Sequence, residues 1–520
     1  MTPILILQDI AVCILLYVLY LQLKRASSHP PLPPGPPAEW LLGHLRVVPQ
    51  KDAARAYHRW SKEYGSSVIH VNVLGQPIVV LNTLTAAVDL LHKRGAIYSD
   101  RPHWESFRML GYEHDVLLTS SKDPSFPILR GALQNYLAKS AIPKFSPVQV
   151  REARKLVKRI LEAPEGWKGA LQMFSTSVIV GIITGHEIKT PDDDYLQIGR
   201  GICEAMSGGG PPGATGVDLF PFLRHLPSWC DPTGSTAHVR KNKPAIMRMI
   251  NVPFERVTQE IKAGTAQPSF ILSAIQEAEA EYGRVDAETA ARIRGVAGSM
   301  FSESADQRWQ TLDTLTVFIF AIVNHPEVQE RARAELNAVV GPDRLPGMED
   351  RPNLPYVERM VQETFRIYPV APLGAPHKST EDDVYDGMFI PKGSVVVSNA
   401  FAMTHDQDVY TDPWRFDPDR YLPLNEGGRG EPFPAAHFGF GRRRVICPGR
   451  YLGEASVFIA TATILHVLTI KKMKDENGEE ITIDPETATY TTGLESHPEK
   501  VWCTIEAISE RAKRLALEVE

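Results

Sequence analysis

The chain has 520 residues, of which 43% are hydrophobic and 23% charged, and its formal net charge is -6. That balance is ordinary for a globular protein large enough to enclose a cofactor, and the negative sign argues against nucleic acid as a partner. The 5 cysteines, Cys13, Cys203, Cys230, Cys447 and Cys503, lie far apart, a spacing that points to neither a disulfide framework nor a zinc site and fits a reducing compartment. In chain order, the first predicted element runs from Pro3 to Leu23 and is almost wholly apolar. About twenty helical residues reach roughly 30 Å, one bilayer core. Gln8 and Asp9 interrupt it toward its N-terminal end.

The segment has no basic stretch before it and no small-residue cleavage site after it, which favours an uncleaved membrane anchor over residues 1–25 rather than a signal peptide. Lys24 and Arg25 then place everything downstream in the cytosol. Residues 26–40 contain Pro30, Pro31, Pro33, Pro34, Pro36 and Pro37, so this stretch reads as a stiff, extended hinge. With no internal linker or repeat, residues 41–520 form one large domain.

Val68 to Leu81 alternates apolar and polar residues around Gly75, Gln76 and Pro77 and predicts a hairpin. From about Val148 to Ala338 the apolar spacing is helical, interrupted by the glycine- and proline-rich stretch Ser207 to Gly213, a candidate mobile loop. Val384 to Val397 carries turn residues at Asp386, Gly387, Pro391 and Gly393 and reads as a second β region. The fold class is mainly α with small β-sheets.

Three motifs follow one another in the second half. Glu363 and Arg366 stand three residues apart on one helical face. Pro413 to Tyr421 contains Arg420, and the run from Phe438 to Arg450 holds Phe440, Gly441, Arg443, Arg444, Cys447 and Gly449. Glycines let a backbone pass close to a flat cofactor, arginines meet carboxylates, and the helix-compatible stretch after Pro448 puts the Cys447 thiolate at a positive helix end.

In this order the motifs resemble the cytochrome P450 family, in particular its membrane-bound, microsomal, fungal members. The resemblance spans nearly the whole chain and implies the P450 fold behind the anchor, haem b as cofactor and Cys447 as the iron ligand. It makes Glu363, Arg366 and Arg420 a buried ion network, and it places the protein in the endoplasmic reticulum membrane as a single-pass protein with a cytosolic catalytic domain. Two more residues than the family pattern has separate Phe438 from Cys447, and Val445 stands where the pattern has arginine.

The same resemblance aligns Gly298 to Arg308 with the helix over the haem, where the family has an acid followed by two threonines. Here the acid is Asp306, Gln307 and Arg308 replace the threonines, and Ser304 is a candidate displaced hydroxyl. A hydroxyl relays protons; an amide holds a water that does. The implied activity is insertion of one oxygen atom from O2 into a hydrophobic small molecule, a fungal secondary metabolite or a xenobiotic. The alternatives are an isomerase, a dehydratase or a peroxide-driven enzyme, a haem-binding protein of impaired activity, or a degenerate or mis-spliced product. Arg130, with Phe126 in place of the family's tryptophan, and His377 are candidate haem-propionate contacts, His377 being equally readable as a surface residue; Arg443 or Arg444 is a candidate for the second propionate. Substrate contacts are expected from Arg101 to Leu118, the loop after Ser207, Val296 to Phe301, Val370 to Gly374 and Thr492 to Leu494. No flavin or nicotinamide fingerprint is present, so an NADPH-dependent cytochrome reductase is the implied electron donor, docking near Arg442 to Arg450.

Overall fold

The computed structural model describes residues 29–518 except 113–114, 208–212, 214, 442–445, 492 and 494, and the backbone alone at 203, 207 and 302–309. The expected anchor and most of the glycine-rich loop therefore lie outside the described residues. Among the described residues no helix is long and apolar enough to cross a membrane.

The chain is mainly helical, and the helices pack around one long helix, Ala287–Asn324. The Asp286 carboxylate starts it by accepting from Thr289 N at 2.8 Å. It stops where Pro326 opens the next helix and excludes the helical conformation from His325. Trp167–Thr184 lies against this central helix with Leu171, Phe174, Val180 and Ile183 all fully buried, and nearly every other residue of its last four turns is buried too. A helix apolar on all sides must be enclosed by others, and Ser146–Glu162, Phe270–Tyr282 and the central helix enclose it. Arg450–Val467, equally apolar, packs between the central helix and Pro355–Ile367.

The expected hairpin consists of β1 (Val68–Val73) and β2 (Gln76–Leu81), paired antiparallel. Its turn is Leu74 and Gly75, both at positive φ, 50° and 89°, one position earlier than the Gly75 to Pro77 stretch expected to form it. Two left-handed residues give the twist that a two-residue hairpin needs, and Pro77 then pairs with Asn72 inside the strand. The second β region divides. After β3 (His377–Lys378), strands β4 (Asp383–Tyr385) and β5 (Met388–Ile390) form their own hairpin, whereas β6 (Val395–Ser398) runs parallel to β2 and completes a four-stranded sheet in the order β1-β2-β6-β3. Three consecutive valines make β6 a strand for burial on both faces. Val68, Val79, Leu81 and Val396 point one way and pack with Phe440, and Ile69, Val80 and Val397 point the other way and pack with Tyr57. The last pair is β7 (Leu468–Lys472) and β8 (Cys503–Ala507).

The proline-rich stretch is extended, as its residues require, and it is laid along the sheet. His70 N donates to Pro34 O at 3.0 Å, Phe389 N to Pro31 O at 2.8 Å, and His44 Nε2 to Pro36 O at 2.8 Å. A side chain at Gly35 would meet His70 O at 2.2 Å, so only glycine allows this approach.

Candidate active site around Cys447

Cys447 lies three residues before helix Arg450–Val467, whose N-cap is the buried Gly449. Its thiol is half-buried and outside any disulfide. Cys447 N donates to Phe438 O at 3.0 Å, which ties the cysteine to the start of its run. Gly439 and Gly441 make the bends at φ 79° and 112°, a region that residues with a Cβ rarely adopt. The two phenylalanines separate. Phe440 is 5% exposed and belongs to the sheet-side core, whereas Phe438 packs edge-on to Phe365 with ring centroids 5.4 Å apart. Arg443 and Arg444 lie outside the described residues.

Arg130, on helix Phe126–Tyr136 with Phe126 buried one turn before it, is 8% exposed and its guanidinium donates to the carbonyl of Ile446, next to Cys447. His377 is 3% exposed, in the interior rather than on the surface. Its Nδ1 lies 2.8 Å from Tyr98 O, and a carbonyl only accepts, so Nδ1 carries the proton. Burial, with the Arg101 charge adding to it, pushes its pKa down to about 3, and the imidazole is neutral. Arg101 itself donates to Ala375 O at 2.8 Å and Pro376 O at 2.7 Å, just before His377.

Glu363, Arg366 and Arg420 meet, each with 0% exposure. Arg366 grips Glu363 with two bonds of 2.8 Å, and Arg420 Nε reaches Glu363 Oε1 at 2.9 Å. Asp417 N and the Tyr421 hydroxyl fill the remaining acceptor positions at 3.0 and 2.7 Å. Burial works against the Arg366 charge, but the Glu363 carboxylate outweighs it and raises the pKa above its ordinary value. Burial and then Glu363 push the Tyr421 phenol well up, which keeps it a donor. Arg420 also reaches Glu431 at 2.5 Å and the carbonyls of Thr411, Asp412 and Arg415. Tyr421 closes the Pro413 to Tyr421 motif, whereas Glu431 escapes a motif reading because a single acidic residue in a loop carries no periodicity. The network reaches the cysteine loop through Phe365, whose ring lies tilted at 4.5 Å from that of His437 and edge-on to Phe438.

Ser304, Asp306 and Gln307 lie on the central helix, and their side chains are outside those described. One turn after Gln307, Thr311 lines a small cavity of about 20 Å³ with Ser175, Val178, Leu452, Gly453 and Ser456. A Cβ at Gly453 would meet nothing within 4 Å. Gly453→Ala therefore adds a methyl without a clash, removes a helix glycine and is expected to raise stability by about 1 kcal/mol, read by denaturant unfolding.

The family model for cytochrome P450 matches residues 33–495. The chain belongs to the cytochrome P450 family. Cytochrome P450 monooxygenase 176 of Postia placenta is 33% identical over 499 residues, 95% of this chain and 94% of the relative. Cytochrome P450 monooxygenase 136 of the same fungus is 32% identical over 515 residues, 98% and 95% of the two chains. Cytochrome P450 monooxygenase COX1 of Coprinopsis cinerea is 34% identical over 478 residues, covering 88% and 89%. This P450 is accordingly a monooxygenase, an oxidoreductase whose cofactor is haem. The residues present suit that group. Cys447 offers a soft sulfur donor just before a helix start, Arg130 brings a buried guanidinium to the adjoining residue, and glycines 439, 441 and 449 keep the loop backbone bare of side chains.

Proposed function

We propose that this P450 is a membrane-bound haem-thiolate monooxygenase holding haem b through Cys447. It inserts one oxygen atom of O2 into a hydrophobic small molecule, a fungal secondary metabolite or a xenobiotic, with electrons from an NADPH-dependent cytochrome reductase. The observation that carries this reading is Cys447, held by Phe438 O before the helix start, with Arg130 beside it. Haem bound there supplies the redox chemistry of oxygen insertion.

The chain's own residues do the rest. Arg130 and Arg443 or Arg444 would pair with the cofactor's carboxylates; His377, whose one N–H is given to Tyr98 O, would join them only with Nε2 protonated as well. Asp306 and Gln307, with Ser304 near them, hold water and pass protons on the distal side. Gln307 has no hydroxyl, so it positions a water rather than relaying a proton itself. Exposed Lys139 lies with Arg450 around Tyr451 next to the cysteine loop, which supports a basic docking face for an acidic reductase.

Membrane association, with the anchor in the endoplasmic reticulum and the catalytic domain cytosolic, is supported by exposed apolar side chains. Trp40, Leu41, Phe222 and Trp229 are 82%, 73%, 62% and 86% exposed. Trp40 adjoins Leu41 in the chain and Phe222 lies beside the exposed Phe220, ring centroids 6.2 Å apart, and adjoining exposed apolar side chains suit a lipid or protein contact.

Reconstitution with and without the reductase tests the function. Product that requires NADPH and O2 supports oxygen insertion; turnover without either selects the isomerase or dehydratase alternative. In the same assay Gln307→Thr is expected to raise product formed per NADPH consumed. An unchanged or lower ratio contradicts the role given to Gln307.

A further inference from the structure

The small cavity beside Thr311 lies where three helices meet. Phe174, Val178 and Leu452 make part of its wall apolar, whereas Ser175 on Trp167–Thr184, Thr311 on the central helix and Ser456 on Arg450–Val467 bring a hydroxyl from each helix. Its volume is about 20 Å³. A single water needs at least about 10–15 Å³ and two to four polar partners, while cavities lined by carbon alone stay dry. Size therefore admits one water and nothing larger, and the hydroxyls decide between wet and dry.

Ser456 decides it. Four buried threonines on the same three helices are bonded to their own backbone one turn back: Thr176 to Gln172 O at 2.9 Å, Thr184 to Val180 O at 2.7 Å, Thr316 to Leu312 O at 2.8 Å and Thr463 to Ile459 O at 2.7 Å. Ser456, 4% exposed, is engaged differently, because its Oγ accepts from Gln149 Nε2 at 2.8 Å. That nitrogen also reaches Leu452 O at 3.2 Å, and a carbonyl only accepts, so the amide has its nitrogen toward the serine. Ser456 is the acceptor in this bond and keeps its own proton to give. Gln149 Oε1, buried with no hydrogen bond among the described residues, does not take it.

We propose that the cavity is a binding site for one water molecule, which accepts from the Ser456 hydroxyl and shares a second hydrogen bond with the hydroxyl of Thr311. Ser175 supplies a third polar side. The water joins the central helix, one turn past Gln307, to the helix that follows Cys447. A buried hydroxyl without a partner destabilises the fold, and one bridging water removes that penalty for both residues at once.

A crystal structure of the holoprotein reads the site directly. An ordered water is expected in the cavity at about 2.7–3.0 Å from Ser456 Oγ, and a cavity without density overturns the proposal. Urea unfolding followed by far-ultraviolet circular dichroism reads the bridge independently, in the parent, Ser456→Ala, Thr311→Val and the double variant. Thr311→Val is expected to lower the midpoint in the parent and to leave it unmoved in the Ser456→Ala background, because the water departs with the first hydroxyl. Equal effects of Thr311→Val in the two backgrounds, or no effect in the parent, would also overturn the proposal. Should Ser456→Ala fold poorly, the crystal structure decides alone.

Discussion

Cys447→Ser is expected to abolish product formation while leaving the fold in place. A serine hydroxyl does not ionise near neutral pH and cannot give iron the thiolate that this chemistry requires. Cys447 is half-buried, and its backbone N–H donates a hydrogen bond to Phe438 O that serine keeps. The variant should therefore show parent-like far-ultraviolet circular dichroism and an unchanged unfolding midpoint when both proteins are freed of haem, with monooxygenase turnover at background. Retained NADPH- and O2-dependent product would remove Cys447 from the site.

Glu363→Ala is expected to have the largest effect on stability. Glu363 accepts from Arg366 twice, from Arg420, from Tyr421 and from Asp417 N, all within 3.0 Å, and it is wholly buried. Its removal leaves two arginines in the interior with Glu431 as the remaining carboxylate. Stranding buried charge costs about 3–5 kcal/mol. That is a large share of the roughly 5–15 kcal/mol that holds most domains together. Because Phe365 on the same helix packs against His437 and Phe438, the disturbance reaches the cysteine loop. We expect a sharply lower denaturation midpoint and poor haem retention. An exposed pair such as Lys471 and Glu506, 60% and 56% exposed, provides the control, and Lys471→Ala should leave the midpoint unaltered. Equal effects at the two sites would contradict the structural role of the network.

The residues that were legible in advance are those whose chemistry is written locally. Glu363 and Arg366 share a helical turn, Arg420 sits in a proline- and aromatic-rich loop, and Cys447 is surrounded by glycines and arginines. Each could be found within a window of about ten residues. Tyr421 and Phe365 lie inside the windows of Arg420 and Glu363, but their contacts with Glu363 and His437 come only from the fold; Glu431 joins the network from outside both windows, and no local pattern marks it. The β regions show the same limit. The hairpin β1-β2 was evident because its partners adjoin in the chain, whereas the parallel pairing of β6 with β2 joins segments more than 300 residues apart. Prolines 30 to 37 announced an extended backbone; their bonds to His70, Phe389 and His44 depended on where the fold brings β1, β5 and the segment before β1.

The central claim is that Cys447 ligates haem iron as a thiolate, and the optical spectrum of the reduced protein under carbon monoxide tests it most directly. The thiolate-type Soret band, present in the parent and absent in Cys447→Ser, is the result expected here. A parent spectrum of the histidine-ligated type, or the thiolate band persisting in Cys447→Ser, would contradict it.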